Sequence, residues 1–394
     1  MRIAYVSVDP GVSVFGPHGA SVHIQEIVRE FAAQGHEVTI FTTRRGNLRH
    51  RLAELADIEL IETTINHAAA VKREQAQREI AHDFGMEIIR RGFDLVYERY
   101  SLFSTVIAEV NQPGVLEVNS PLLDLQRTHR DVVDYEAAEN ALTKQVTAAA
   151  ATVCVSDPLR EWVLRQVPGA LAHTVPNGVN TSRIFPQPED AGQAVVTFVG
   201  SLKPWHGVEY AIWAAAVAQE QWQLRIVGDG PQRVPLMDLA QKLRVDADFR
   251  GAVSPSEIPG QLRGSAIGVA PYPETVSAHH YFSPLQVYEY LAAGLPIVAS
   301  SIGQIPHAVG DAGVLVPGSN ASALAQAIDN LVYCPLRRWE LGAQAVRQAV
   351  RHCTWSGVVR TIVDLVSQSR GMSGWRRHIG HRGHRGRHMR GTAS

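Results

Sequence analysis

Ser283-Pro-Leu-Gln-Val-Tyr-Glu289-Tyr-Leu-Ala-Ala-Gly294-Leu-Pro296-Ile-Val-Ala-Ser300 reads as a loop, a short helix with one acid, a sharp turn and an apolar strand. Gly294 stands where a helix C-terminus favours a left-handed residue, and Pro296 opens the apolar run. Backbone amides at the start of such a helix form a site for a diphosphate. Glu289, one to two turns in, can accept hydrogen bonds from a pair of ribose hydroxyls. One segment therefore joins an anion cradle to a reader of a sugar edge, a combination suited to a nucleotide-activated sugar.

Outward from this stretch, strand-like apolar runs alternate with helical patterns, the signature of parallel sheets with crossover helices. The patterning predicts strands at 3–8, 37–41, 58–61, 95–97, 115–117 and 152–155. It predicts helices at 23–34, 68–91 and 122–150 in the same half. A second series of strands follows at 195–199, 223–227, 248–250, 267–270, 297–300 and 314–316, with helices at 208–218, 231–243, 284–293 and 321–332 between them. The stretch 180–194 has no apolar period and is rich in Pro, Asp, Gln and Gly. The expected organisation is an N-terminal α/β domain over 1–180, a linker at 181–194 and a C-terminal α/β domain over 195–352. A crossover helix at 353–369 and a basic tail at 370–394 complete it. Ligands of open parallel sheets sit beyond the carboxyl ends of the strands, so the active site is expected in the cleft between two such sheets.

The 394 residues are 45% hydrophobic and 19% charged, as in ordinary globular proteins, and the net charge of −1 gives no argument for nucleic acid. Seven arginines and four histidines concentrate after position 369, leaving the body near −8. That tail lacks apolar periodicity, reads as disordered, and is suited to at most a weak contact with anionic lipid. Cys154, Cys334 and Cys353 match neither a disulfide framework nor a zinc pattern, so a reducing cytoplasm is expected, with peripheral attachment to a membrane as an option. The chain contains no apolar run near the ~20 residues of a membrane span.

Polar residues gather at the predicted strand ends. Gly11-Val-Ser-Val-Phe-Gly16-Pro-His-Gly19 follows the first strand and reads either as a loop facing donor or acceptor, or as a plain connection. His23, on the next helix, either faces the cleft or packs. Glu98 and Arg99 end one strand, and Glu117 and Asn119 another; acceptor contacts and structural pairs or caps both remain open for them. Gly228 and Gly230, in Gly228-Asp-Gly230, either approach the nucleotide or turn the chain. The loop 273–280, with Glu274, His279 and His280, suits a cover over the sugar or a surface excursion.

Five motifs in order, Phe198-Val-Gly200-Ser201-Leu-Lys203-Pro-Trp-His206-Gly207, Ile226-Val-Gly-Asp-Gly-Pro231, Phe249-Arg-Gly-Ala-Val253, the 283–300 stretch and Gly313-Val-Leu-Val-Pro317, resemble the retaining glycosyltransferases of family 4. The likeness extends to about Val366. It implies a GT-B fold, two Rossmann-like domains facing across a cleft. The implied activity is metal-independent transfer of a hexose, with retention, from UDP, GDP or another nucleoside diphosphate to a hydroxyl of a glycan, a lipid-linked intermediate or a small molecule. By spacing, the family's phosphate-gripping Arg and Lys become Ser201 and His206, with Lys203 beside them as the cation. Its paired glutamates become Tyr281 and Glu289. The resemblance thus implies a catalytic group of Lys203, His206, Tyr281 and Glu289. The donor is expected against Gly16, Gly19, Gly200, Ser201, Gly228, Gly230, Ser283, Pro284 and Leu285, and the acceptor against His23, Glu98, Arg99, Glu117 and Asn119. Two competing readings are a sugar-nucleotide epimerase of the same fold and a catalytically silent nucleotide-sugar-binding partner, the latter motivated by Ser201 and Tyr281.

Overall fold

The computed structural model describes residues 1–66, 69–129, 132–274 and 281–369. The N-terminal half builds a seven-stranded sheet, β1 (Arg2–Ser7), β2 (Glu37–Thr42), β3 (Glu59–Glu62), β4 (Leu95–Arg99), β5 (Gly114–Val118), β6 (Ala151–Cys154) and β7 (Ala172–Thr174). Its order is β3-β2-β1-β4-β5-β6-β7, and each pair is parallel. The connecting helices are α1 (Gly19–Ala33), α2 (Ala70–Arg91), α3 (Val106–Glu109), α4 (Leu122–His129), α5 (Tyr135–Ala148) and α6 (Asp157–Gln166).

The second half repeats the plan with β8 (Ala194–Val199), β9 (Trp222–Val227), β10 (Ala247–Gly251), β11 (Ile267–Ala270), β12 (Ile297–Ser300) and β13 (Gly313–Val316). These strands lie in the order β10-β9-β8-β11-β12-β13, again all parallel. Around them run α7 (Val208–Val217), α8 (Arg233–Leu243), α9 (Ile258–Leu262), α10 (Leu285–Ala292), α11 (Ile305–Val309), α12 (Ala321–Tyr333) and α13 (Pro335–His352), and the described chain ends in α14 (Trp355–Ser369). In each sheet the strand order reverses beside the first strand, between β1 and β4 and between β8 and β11. Such switch points open a crevice at the carboxyl ends.

Alternation along β1 shows how the first sheet is covered on both faces. Ile3 and Tyr5 join a cluster with Ile24, Ile27 and Val28 of α1, whereas Ala4 and Val6 join Ile80, Ala81 and Phe84 of α2. Trp355, Val359, Ile362 and Val366 of α14 fall on one helical face and complete the first of these clusters. The last described helix therefore belongs to the first sheet. Each of those large side chains contributes roughly 1.5–3 kcal/mol by burial.

The chain crosses between the two halves twice, at one place. Val179 N–H donates to Cys353 O at 2.7 Å, and Trp355 N–H donates to Val179 O at 3.4 Å. A Cβ on the neighbouring Gly178 would lie 2.5 Å from the Trp355 amide nitrogen, so the close crossing needs glycine.

The helix expected over 122–150 is two helices, α4 and α5. The Asp134 side chain accepts from Ala137 N–H at 3.0 Å and starts α5, while Glu74 of α2 accepts the amides of Val133 and Asp134 at 2.8 and 3.1 Å. Those long-range acceptors replace helical partners, and no local propensity signals them. The loop residues 275–280, with His279 and His280, and the tail 370–394 lie outside the described residues.

Candidate active site

A cavity of about 800 Å³ lies between the carboxyl ends of the two sheets. From the C-terminal half its wall holds Gly200, Ser201, Lys203, His206 and Gly228, together with Tyr281, Ser283, Pro284, Leu285 and Glu289. The N-terminal half contributes Gly19, His23, Arg99 and Asn119. Gly16 and Gly230 are not part of this wall. Gly16 is buried against Ser13 and Ser21, and Gly230 backs onto the Leu202 carbonyl, so both serve loop packing.

On the C-terminal wall, β8 and β9 end in loops that touch. Gly228 has φ 142°, and a Cβ there would meet Gly200 O at 1.8 Å; only glycine lets the loops close so tightly. Lys203 places its ammonium 4.7 Å above the Trp205 ring. His206 departs from its expected role as a second donor to the phosphates. Its Nδ1 bonds the Ser201 carbonyl, which can only accept, so Nδ1 carries the proton. Burial lowers its pKa, opposed by the Ser201 hydrogen bond and helped by Lys203. The ring is therefore neutral near pH 7, and Nε2 is an acceptor suited to a hydroxyl.

The segment before α10 is tied to the other half of the molecule. Ser283 Oγ accepts the Asn177 amide at 3.0 Å and lies 3.1 Å from the Tyr288 hydroxyl. Its side chain is thus committed, and Pro284 has no N–H, so the free amides facing an anion begin at Leu285. Tyr281 leans on the N-terminal cluster around Tyr100, Leu159 and Trp162, and its carbonyl accepts from Ser156 Oγ at 2.7 Å. Glu289 is half-buried on the cavity wall, and burial pushes its carboxyl up to about 7, against the pull of Arg183 and with a further push from Glu26. Arg183, from the linker, makes a 2.6 Å ion pair with buried Glu26.

A buried polar chain runs through the N-terminal wall. Asn177 Nδ2 donates to Ser283 O at 2.9 Å, which turns its Oδ1 toward His23 Nδ1 at 2.7 Å. His23 Nε2 contacts the Glu117 carboxylate. Both ring nitrogens face acceptors, so both donate. Tyr97 OH, at 2.6 Å, and Arg99 Nη1, at 3.2 Å, both donate to the Glu117 carboxylate. Burial alone would raise the Glu117 pKa, but His23 and Arg99 outweigh it and hold the group at about 2. The Trp355 ring packs edge-on against His23 at 5.1 Å. Glu117, 2% exposed, is thus the anchor of an interdomain network and does not line the cavity.

Glu98, expected among the acceptor contacts, is fully buried behind the wall. It accepts from Ser104 and from Ile107 N–H at 2.8 Å, holding the start of α3, and burial pushes its carboxyl up to about 7. The structural alternative holds for this residue. Sequence reasoning missed Asn177, whose turn was visible but whose partners lie 106 and 154 residues away, and Gln286. Gln286 Nε2 and Asn119 Nδ2 are buried without a hydrogen-bond partner, and both residues line the cavity. Orphaned donors in a cleft call for an oxygen-rich ligand.

Comparison with known proteins fits these features. Residues 17–183 match Glycosyltransferase Family 4, and residues 193–333 match Glycosyl transferases group 1. The chain belongs to glycosyltransferase family 4. It is 26% identical to the D-inositol 3-phosphate glycosyltransferase of Corynebacterium efficiens, over 94% of this chain and 96% of that one. It is 24% identical to the MMP alpha-(1->4)-mannosyltransferase of Mycolicibacterium hassiacum, over 89% and 95%. Sucrose-phosphate synthase from Thermosynechococcus elongatus superposes with a TM-score of 0.72 at 20% identity, covering 93% of this chain and 98% of that one. Anabaena HepE, solved with UDP and glucose, gives 0.71 at 17%, covering 93% and 100%. These structures share the GT-B fold with this family 4 glycosyltransferase. Among its described residues, no helix is long and apolar enough to cross a membrane.

Proposed function

We propose that the chain moves a hexose, with retention and without a metal, from a nucleoside diphosphate to a hydroxyl of a glycan, lipid-linked or small-molecule acceptor. One observation carries this reading. Lys203, the α10 N-terminus and Glu289 line the same cavity, so a cation, an anion cradle and a ribose acceptor converge at the carboxyl ends of both sheets. Lys203 and the amides from Leu285 onward hold the diphosphate and stabilise the charge that grows on it as the anomeric C–O bond breaks. Glu289 accepts from the ribose hydroxyls. His206 Nε2, Asn119 and Gln286 orient the hexose, and Tyr281 supplies one hydroxyl beside it.

The family resemblance is the support for retention. The acceptor oxygen attacks from the face that the diphosphate leaves, and the departing phosphate oxygen takes the acceptor's proton. The same resemblance is the support for charge neutralisation by fixed donors without a metal. A cytoplasmic enzyme with a weak tail contact to anionic lipid completes the reading.

The test is a thermal-shift series with UDP, GDP and ADP beside their monophosphates, since a ligand of the native state raises Tm by mass action. At least one diphosphate should shift Tm more than its monophosphate. Equal shifts, or none, would remove the diphosphate site. Turnover that persists in EDTA and an α-linked product from an α-linked donor check the metal and stereochemical parts.

A further inference from the structure

A second cavity, of about 320 Å³, opens within the N-terminal domain on the far side of Leu122, which lines both spaces. Asp9, Pro10 and Gly11 after β1, Gln77 and its neighbours on α2, Leu102 and Phe103 after β4, and Val132 surround it. We propose that this cavity is a subsite for an uncharged polyhydroxylated ring of the acceptor, placed one unit beyond the hydroxyl that reacts. The proposal rests on the glycosyltransferase reading and specifies its acceptor.

Three observations carry it. First, Gln77 is 8% exposed, lines the cavity and makes no side-chain hydrogen bond. Its amide is not among the buried unpartnered polar atoms, so it opens onto the cavity with a donor and an acceptor free for a ligand. Second, Asp9 uses one carboxylate oxygen on Gly11 N–H at 2.7 Å and leaves the other open to a hydroxyl donor. Glu74, by contrast, spends both oxygens on the amides of Val133 and Asp134, so it shapes the wall and does not bind. Third, half of the lining is apolar: Pro10, Leu102, Phe103, Leu122 and Val132 belong to it, and Arg78 lies 5.1 Å from the Phe103 ring centroid.

Ring-shaped polyols have an apolar face and a polar edge, and the cavity lining offers groups for each. An alkyl chain would leave Gln77 and Asp9 unpaired. A phosphate would meet two carboxylates, Asp9 and Glu74, against Arg73 as the one cation of the described lining. The volume lies at the lower end of ligand pockets, about 300–1,000 Å³, and suits one ring. Because Leu122 separates this space from the donor cavity, a molecule that fills it and still reaches the donor spans at least two units.

The experiment is calorimetric titration of the full chain saturated with UDP. The probes are uncharged disaccharides (maltose, cellobiose and α-1,6-mannobiose), with glucose 6-phosphate and inositol 1-phosphate as charged counterparts. At least one disaccharide should bind saturably and more tightly than either phosphorylated probe, and Gln77→Leu should weaken it about 10-fold or more. Should that variant unfold, Asp9→Asn keeps an oxygen for Gly11 and gives the same readout through its lost anionic acceptor. Tighter binding of a phosphorylated probe, an unchanged Kd in these variants, or no disaccharide binding would each overturn the subsite. Failure of UDP itself to bind the wild type would instead overturn the donor reading.

Discussion

Glu117→Gln tests whether the buried chain Tyr97–Glu117–His23–Asn177–Ser283 holds the two domains in register. The native carboxyl titrates at about 2 against an ordinary 4.5. A difference of about 2.5 units corresponds to about 3 kcal/mol at 1.36 kcal/mol per unit. The sign follows from a depressed acid. The contribution is complete above the unfolded pKa of 4.5 and is lost as pH falls through that value toward 2. The amide keeps the side-chain volume but leaves His23 and Arg99 facing a neutral group, a change that commonly costs 3–5 kcal/mol when a buried pair is broken. For a domain of this size 1 kcal/mol moves Tm by about 2–4 °C, so the N-terminal transition should fall by roughly 6–12 °C at pH 7. Calorimetric scans at pH 7 and pH 3.5 measure it, and at the lower pH, about one unit below 4.5, the gap between wild type and variant should narrow by about 1 kcal/mol. A variant that melts with the wild type at pH 7, or an equal gap at both pH values, would refute the assignment of a net stabilising anion.

Replacing Asn177 with Ala removes the link between His23 and Ser283. Donor Kd should rise severalfold, and UDP should protect the 283–289 amides from hydrogen exchange less than in the wild type; equal protection would make the link incidental. Glu289→Gln removes an acid whose folded pKa of about 7 exceeds its unfolded 4.5. A raised acid destabilises above the folded pKa and is neutral below the unfolded one. The variant should therefore melt higher than wild type at pH 8 and equally at pH 4, while losing donor affinity, as paired thermal-shift and titration curves would show. Lys203→Ala should weaken UDP or GDP about 10-fold while leaving the matching nucleoside nearly unaffected; equal losses would take the ammonium off the diphosphate. Trp355→Ala empties the site beside His23 and should cost about 3–5 kcal/mol in the N-terminal transition, read by urea unfolding.

Much of the architecture was legible because buried parallel strands read as short apolar runs between helical periods. The short edge strand β7 escaped listing, since its three residues are all half-buried and carry no apolar run. The break between α4 and α5 escaped because Glu74, some sixty residues earlier, supplies the acceptors. At the site, residue types at strand ends marked the cavity, as with Asn119 and Lys203, but not the hydrogen-bond partners that decide their chemistry. His206 reads as a donor until the Ser201 carbonyl fixes its tautomer. Glu98 and Glu117 read alike on neighbouring strands. One caps a helix and is pushed up, while the other faces two cations and is held down.

The placement of α14 against β1 has a consequence for synthesis. Ile3, Tyr5, Ile27 and Val28 leave the ribosome early, whereas the tryptophan and aliphatic residues that shield them arrive only after position 354. At 5–20 residues per second, the interval between β7 and α14 is roughly 10–40 s. Through that time the nascent first sheet carries a bare greasy flank, and a translating cell must keep it from sticking until α14 arrives to close it.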